Sequence, residues 1–169
     1  MEQTLKVINR MKEDGVIEDY AIGGAIAAIF YIEPFATIDL DIFVDIQAEG
    51  LAIDILSPIY RYLEKQGYQL QNEMITIEGW AVQFLPVFNP LIEEAVIRAN
   101  ETVYGQTLVR VIRAEHLVAI MLATGRPKDY ARMTYFLEAD IIDMDVLMDI
   151  LVRHDLEKKW RKNKSRFLS

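Results

Sequence analysis

Two glycines and two aspartates in the first quarter of the chain have types and spacing that suit chemistry. Gly23 and Gly24 come first, and Asp39 and Asp41 follow fifteen and seventeen residues after Gly24. Side chains two residues apart on a β-strand share a face, so Asp39 and Asp41 are predicted to point the same way. Two such carboxylates repel each other unless a cation lies between them, and oxygen ligands of this kind suit Mg²⁺ with a nucleotide phosphate. The pair therefore predicts a magnesium site.

The glycine pair has two interpretations. Without Cβ atoms, Gly23 and Gly24 would allow backbone N–H groups to approach a triphosphate, and the following helix N-terminus would add positive potential. A plain turn from a strand into a helix is the alternative. Because the pair precedes the strand that carries Asp39 and Asp41, the nucleotide-binding interpretation is favoured.

The elements that must position these residues are predicted from apolar periodicity and from helix start and stop signals. The predicted strands are 20–22, 37–44, 74–77, 80–87 and 108–112, with Glu78-Gly79 as a hairpin turn. The predicted helices are 5–13, 25–30 ending before Pro34, one capped by Ser57, one begun by Asn89-Pro90, 115–124, 127–137, one capped by Asp143, and a charged final helix. This order predicts a single α/β (α+β) domain with a small mixed sheet, helices mainly on one side and a helical C-terminal part.

Composition limits the classes of function. The 169 residues are 52% hydrophobic and 26% charged, which is typical of one globular domain, and we expect a cytoplasmic protein with no membrane association. The absence of cysteine excludes disulfides, thiolate metal sites and a cysteine nucleophile. A net charge of −8 disfavours nonspecific attraction to nucleic acid, and the basic residues from Lys158 to Arg166 are interpreted as a solvated, partly frayed end rather than an RNA-binding tail.

The ordered motifs resemble a known family. A Gly-Gly before a short helix, followed by Asp-x-Asp on the next strand, resembles the signature of the DNA polymerase β-like nucleotidyltransferase fold. The segments AVQFLP (81–86), AEHL (114–117) and TGRPKD (124–129) are similar to segments of small stand-alone bacterial members related to the nucleotidyltransferase toxins of abortive-infection systems. The resemblance covers about residues 15–140. It implies a nucleotidyltransferase-like core over 1–113, with 114–169 as a helical part packed on it.

The resemblance also implies roles for particular residues. Asp39 and Asp41 would bind the divalent ions that hold the triphosphate and stabilise the leaving pyrophosphate. The third catalytic position, a carboxylate in active relatives, corresponds to Gln83, whose neutral amide can bind but cannot act as a general base. Glu78 could replace it only if the strand register differed.

Basic residues near a predicted helix start supply the remaining candidates. Arg126 and Lys128 are expected to clamp phosphate oxygens, although ordinary surface charges at a helix start are an equal alternative. Two distant histidines, His116 and His154, are interpreted as residues near helix ends rather than metal ligands.

The predicted function is binding of a nucleoside triphosphate with Mg²⁺ and transfer of its nucleotidyl group to a hydroxyl on RNA, protein or a small molecule. Two alternatives stay open: a catalytically impaired nucleotide-binding or interaction module, and the toxin component of a two-gene system.

Overall fold

The computed structural model describes residues 1–32, 39–46, 55–71 and 74–168. The helices of these ranges are α1 (Glu2–Glu13), α2 (Gly24–Ile29), α3 (Ser57–Lys65), α4 (Pro90–Ile97), α5 (Ala114–Thr124), α6 (Pro127–Glu138), α7 (Met144–Arg153) and α8 (Glu157–Asn163), with a 3₁₀ turn at Lys164–Arg166. The strands are β1 (Asp19–Ile22), β2 (Asp39–Asp45), β3 (Leu70–Gln71), β4 (Met74–Ile77), β5 (Trp80–Pro86), β6 (Asn100–Tyr104) and β7 (Thr107–Val111).

The strands form one mixed sheet in the order β3-β4-β5-β2-β1-β7-β6. Two neighbouring pairs, β2 with β5 and β1 with β7, are parallel, and the other pairs are antiparallel. The predicted combination of a mixed sheet with helices is confirmed. Residues 37 and 38 of the predicted second strand, and Pro34, lie outside the described residues.

The two central strands show why the sheet has a buried face and a polar face. On β2, Leu40 and Ile42 are fully buried, and on β5 Val82 is fully buried and Phe84 almost so. The residues between them have the opposite orientation, because side chains alternate along a strand. The same alternation that builds the core therefore directs Asp41 and its neighbours to the other face.

Two of the three predicted helix caps are correct. The Asn89 side chain accepts a hydrogen bond from the Ile92 N–H at 2.9 Å, and Asp143 accepts from two backbone N–H groups at the start of α7. The prediction for Ser57 is wrong, since Ser57 lies inside the first turn of α3 and Leu56 occupies the N-cap without a side-chain hydrogen bond. A proline in the first turn, Pro58, is compatible with either start, so it could not distinguish them.

The edge strands were not predicted. Strand β6 pairs with β7 through a turn at Gly105, which has a φ of +63°, so the predicted strand 108–112 is the second half of a hairpin. Most residues of β6 are exposed, and both residues of β3 are. Without a buried face these strands carry no alternating pattern, and such a pattern is what identifies a strand from sequence.

The C-terminal segment is packed against the rest of the chain, and the expectation of a frayed end is wrong. Trp160 and Phe167 are 4% and 3% exposed, and their rings lie 4.6 Å apart. Phe167 also stacks on Tyr130 of α6 at 6.2 Å. The predicted division of the chain after residue 113 stays a prediction. None of the helices in the described ranges is long and apolar enough to cross a membrane.

Candidate active site

The acidic pair lies on the polar face of β2. Asp39 and Asp41 are both half-buried, and Leu40 between them is fully buried on the opposite face. The parallel neighbour β5 aligns Asp41 with Gln83. Gln83 is also half-buried, and the residues on either side of it are buried. The three side chains expected to form the catalytic site therefore share one face, and Gln83 is the direct cross-strand neighbour of Asp41.

The register excludes Glu78 as a substitute for the missing carboxylate. Glu78 lies in the turn between β4 and β5, with a φ of +49°, and accepts a hydrogen bond from the Tyr68 hydroxyl at 2.6 Å. Asp39, at the near end of β2, is already aligned with Ala81. Glu78 therefore lies beyond the paired segment and away from Asp41.

Both glycines are required by close packing against β2. The Gly23 N–H donates to the Asp41 carbonyl at 2.9 Å, and a Cβ at Gly23 would lie only 2.4 Å from a Phe43 ring carbon. Gly24 has a φ of +59°, and its Cβ would lie 1.9 Å from Asp41 Oδ2. The Asp41 carboxylate thus overlaps the position that the Cβ of any other residue at position 24 would occupy. The Gly23 N–H already has this partner, and of the two glycines it is Gly24 that lines the neighbouring cleft.

A cleft of about 600 Å³ joins these residues to a cationic wall. Its polar lining comprises Gly24, Asp39, Asp41, Gln83, Asn89, Thr124, Arg126, Lys128, Asp129 and Arg132. The predicted cations Arg126 and Lys128 are thus in the same cleft as the Asp-x-Asp strand. Arg132 was not predicted, although it lies one helical turn after Lys128, a spacing that places both on one face of α6.

A buried carboxylate orients Arg126. Asp129 is 1% exposed and accepts hydrogen bonds from Arg126 Nε at 2.8 Å and from a terminal guanidinium nitrogen at 3.0 Å. Its Oδ2 also accepts from the Arg126 backbone N–H at 3.0 Å, which satisfies a free donor at the start of α6. The Arg126 side chain therefore has a structural role at the start of α6, and the choice between a phosphate clamp and an ordinary surface charge stays a prediction.

The protonation equilibrium of Asp41 reflects these surroundings. Burial raises the pKa of Asp41, and the nearby charge of Asp39 raises it further. Arg126, Arg132 and Lys128 act in the opposite direction and lower it. The pKa of Arg126 is raised, first by its hydrogen bonds to Asp129 and then by the charges of Asp129 and Asp41. Additional positive charge beside Asp41 would favour its ionised form.

Asp39 and Asp41 are the residues of the cleft that could hold a divalent cation. In the described part of the chain, no group of three or more His, Cys, Asp or Glu side chains is arranged to hold a metal by itself. Mg²⁺ is typically held by one or two carboxylates together with phosphate oxygens and water. Asp39 and Asp41 supply that number of carboxylates, so any further oxygen ligands would have to come from a ligand or from water.

The rest of the cleft wall is apolar. It comprises Ala25, Phe43, Leu85, Phe88, Leu91, Ile92, Leu117, Ile120, Met121 and Ala123. Phe88, just after β5, is 71% exposed. The cleft lining therefore includes both charged groups and an accessible aromatic ring.

Both histidines lie at a separate cluster, as residues near helix ends. Nε2 of His116 and of His154 lie 3.2 Å and 2.8 Å from the two carboxylate oxygens of Glu94, which also accepts from Arg153. The Arg153 hydrogen bond, followed by those of His154 and His116, lowers the pKa of Glu94 to about 2. Burial lowers the pKa of His116. This cluster ties α4, α5 and α7 together and was not predicted, because its members are distant in sequence.

No protein-family model and no curated protein matches the chain. Among solved structures, it is similar to an antigenic nucleotidyltransferase-like protein from Paracoccidioides brasiliensis, with a TM-score of 0.54 and 13% identity over 98% of this chain and 92% of that one. It is also similar to the antibiotic-resistance factor ANT(2'')-Ia, with a TM-score of 0.47 and 13% identity over 97% and 91% of the two chains. The first of these two likenesses shows that the chain has a nucleotidyltransferase-like fold.

Proposed function

We propose that the cleft binds a nucleoside triphosphate with Mg²⁺ and transfers the nucleotidyl group to a hydroxyl of an acceptor. The observation that carries this proposal is that Asp39 and Asp41 line one cleft together with Gly24 and the cations of α6. Fold alone does not determine activity, so the proposal rests on this arrangement.

We assign different roles to the carboxylates and to the cations of the cleft. Asp39 and Asp41 would hold the ion, which when bound would neutralise phosphate charge and stabilise the departing pyrophosphate. Arg126, Lys128 and Arg132 would meet phosphate oxygens. In the transfer, the acceptor oxygen bonds to the α-phosphorus, the bond from that phosphorus to the bridging oxygen breaks, and pyrophosphate leaves.

Gln83 limits the rate in this proposal. Its amide can orient the acceptor hydroxyl but cannot take its proton, which must pass to water. General-base assistance contributes roughly 10²- to 10⁴-fold to rates, so nucleotide binding should exceed turnover. The same observation favours a second candidate, a nucleotide-binding module without catalysis.

The test measures binding and transfer separately. Binding of ATP with Mg²⁺ is followed by calorimetry, and we expect Asp41→Asn to abolish it. Asp140→Asn is the matched control, because Asp140 is exposed at the end of α6 with a φ of +53°, a conformation that asparagine accepts. Equal binding by the wild type and Asp41→Asn would contradict the proposal.

Transfer is measured with α-labelled nucleoside triphosphates and total RNA or protein. Gln83→Glu should raise transfer by roughly 10²-fold or more. Gln3→Glu, which adds the same charge at an exposed position in the first turn of α1, should not raise transfer. Rapid wild-type transfer that is insensitive to Gln83→Glu would refute the role of Gln83. Binding without transfer in either protein would favour the noncatalytic module.

The toxin role that the resemblance implies remains part of the proposal. Induced expression should arrest bacterial growth, and Asp41→Asn should relieve the arrest. Equal arrest by both proteins would contradict a role that depends on the cleft.

A further inference from the structure

We infer that the surface of α8 and the following turn binds the phosphate backbone of an RNA whose reacting end enters the cleft. This inference rests on the proposed function and names the acceptor class. It starts from the C-terminal segment, which packing holds in one place: Trp160 and Phe167 are buried, and Phe167 stacks on Tyr130.

The anchored segment is strongly basic. Residues 157–166 contain six cations and a single carboxylate, in a chain of net charge −8. The cations are Lys158, Lys159, Arg161, Lys162, Lys164 and Arg166, and all except the half-buried Lys159 are exposed. Arg161 pairs with Glu157. The buried aromatic side chains account for where the helix is held, but they do not account for the charge on its exposed side.

The basic surface is continuous with the cleft. Lys159 Nζ donates to the Ala123 carbonyl at 2.7 Å, and Ala123 lines the cleft at the C-terminal end of α5. The same Nζ lies 3.1 Å from the position of a Cβ at Gly125, the residue before Arg126. Arg166 lies over the Tyr130 ring, 5.2 Å from its centre. Positive charge thus runs from α8 across the end of α5 to the cations of α6.

Two features favour RNA over an acidic protein as the partner. A nucleic-acid strand carries regularly spaced phosphates for the α8 surface and a terminal hydroxyl for the cleft. The exposed ring of Phe88, on the cleft wall, offers a face on which an unstacked base can pack, and such stacking recurs in single-strand recognition. An acidic peptide would use the cations but would not require this ring.

The experiment is fluorescence anisotropy with a labelled 20-nucleotide single-stranded RNA of mixed sequence. Lys158→Glu with Lys162→Glu reverses two charges that lie one turn apart on α8. Lys6→Glu with Lys65→Glu is the control, because it makes the same charge change at exposed positions on α1 and α3. We expect the α8 pair to weaken RNA binding at least about tenfold and to reduce the salt dependence by about 1.4 in log–log slope, with the control within about twofold of wild type.

Three results would overturn the inference without touching the proposed function. The two double variants could weaken binding equally, which would show a general charge effect. Poly-glutamate of matched length could compete as well as unlabelled RNA, which would assign the surface to acidic proteins. RNA could fail to bind at 50 mM salt while ATP with Mg²⁺ still binds, which would leave the proposed function intact. Failure of both ligands to bind the wild type would reject the proposed function as well.

Discussion

Replacing Gly24 by alanine tests how the fold holds the Asp41 carboxylate. Gly24 has a φ of +59°, and a Cβ at this position would lie 1.9 Å from Asp41 Oδ2 and 2.8 Å from Asp41 Cγ. The substitution therefore has two separate costs: a left-handed backbone conformation for a residue with a Cβ, and an overlap with a side chain of the proposed metal site.

The two costs are estimated separately and then added. The left-handed conformation costs roughly 1–2 kcal/mol for a residue other than glycine. Contacts of a real Cβ shorter than 3.0 Å essentially never occur, so the Asp41 carboxylate must withdraw by about 1 Å. Such overpacking typically costs about 1–3 kcal/mol. We therefore expect Gly24→Ala to lower the free energy of unfolding by about 2–5 kcal/mol.

Gly15→Ala isolates the backbone cost. Gly15 has a φ of +71°, nothing lies within 4 Å of its ideal Cβ, and it is exposed after the end of α1. Urea denaturation followed by circular dichroism should show that Gly24→Ala loses at least about 1 kcal/mol more than Gly15→Ala. Calorimetry should show that Gly24→Ala loses Mg²⁺-dependent ATP binding and that Gly15→Ala retains it.

Two results would refute the reasoning. Equal destabilisation by Gly24→Ala and Gly15→Ala would mean that the carboxylate moves aside without cost. Normal ATP binding by a folded Gly24→Ala protein would mean that the observed position of Asp41 is not needed for the ligand.

Two further predictions concern the pH dependence of stability. Burial and then the charge of Asp39 raise the pKa of Asp41, so ionisation of Asp41 destabilises the fold above that pKa. We therefore expect Asp41→Asn to raise the free energy of unfolding at pH 7. This gain should shrink as the pH falls through the pKa of Asp41. A gain that is absent, or the same at every pH, would contradict this. Ionisation of Glu94 has the opposite effect and stabilises the fold, because the pKa of Glu94 is lowered from 4.5 to about 2, chiefly by Arg153. Glu94→Gln should cost on the order of 2 kcal/mol in urea denaturation at pH 7, and its difference from wild type should narrow as pH falls from about 4.5 towards 2; a difference that does not change with pH would exclude the ionised carboxylate as its source.

The sequence by itself determined the features that depend on local geometry. The alternation of Asp39, Leu40 and Asp41 assigns the two carboxylates to one face of β2, since the period of two belongs to the strand itself. The helix caps Asn89 and Asp143 were also predictable from the sequence, because each cap hydrogen-bonds to backbone N–H groups within three residues of its own position. The prediction that Ser57 caps α3 was wrong by one residue. A helix start that moves by one residue leaves the local sequence pattern unchanged, so the sequence could not distinguish the two starts.

Only the tertiary structure decided which distant residues meet. The alignment of Asp41 with Gln83 follows from strand pairing between segments about forty residues apart, and Arg132 enters the cleft because α6 packs beside it. The requirement for Gly24 comes from the Asp41 side chain rather than from the turn alone. The position of the basic helix α8 likewise depends on burial of Trp160, and only the folded chain could supply the surface that buries it. Packing between distant segments creates these contacts, and no period along the chain encodes them.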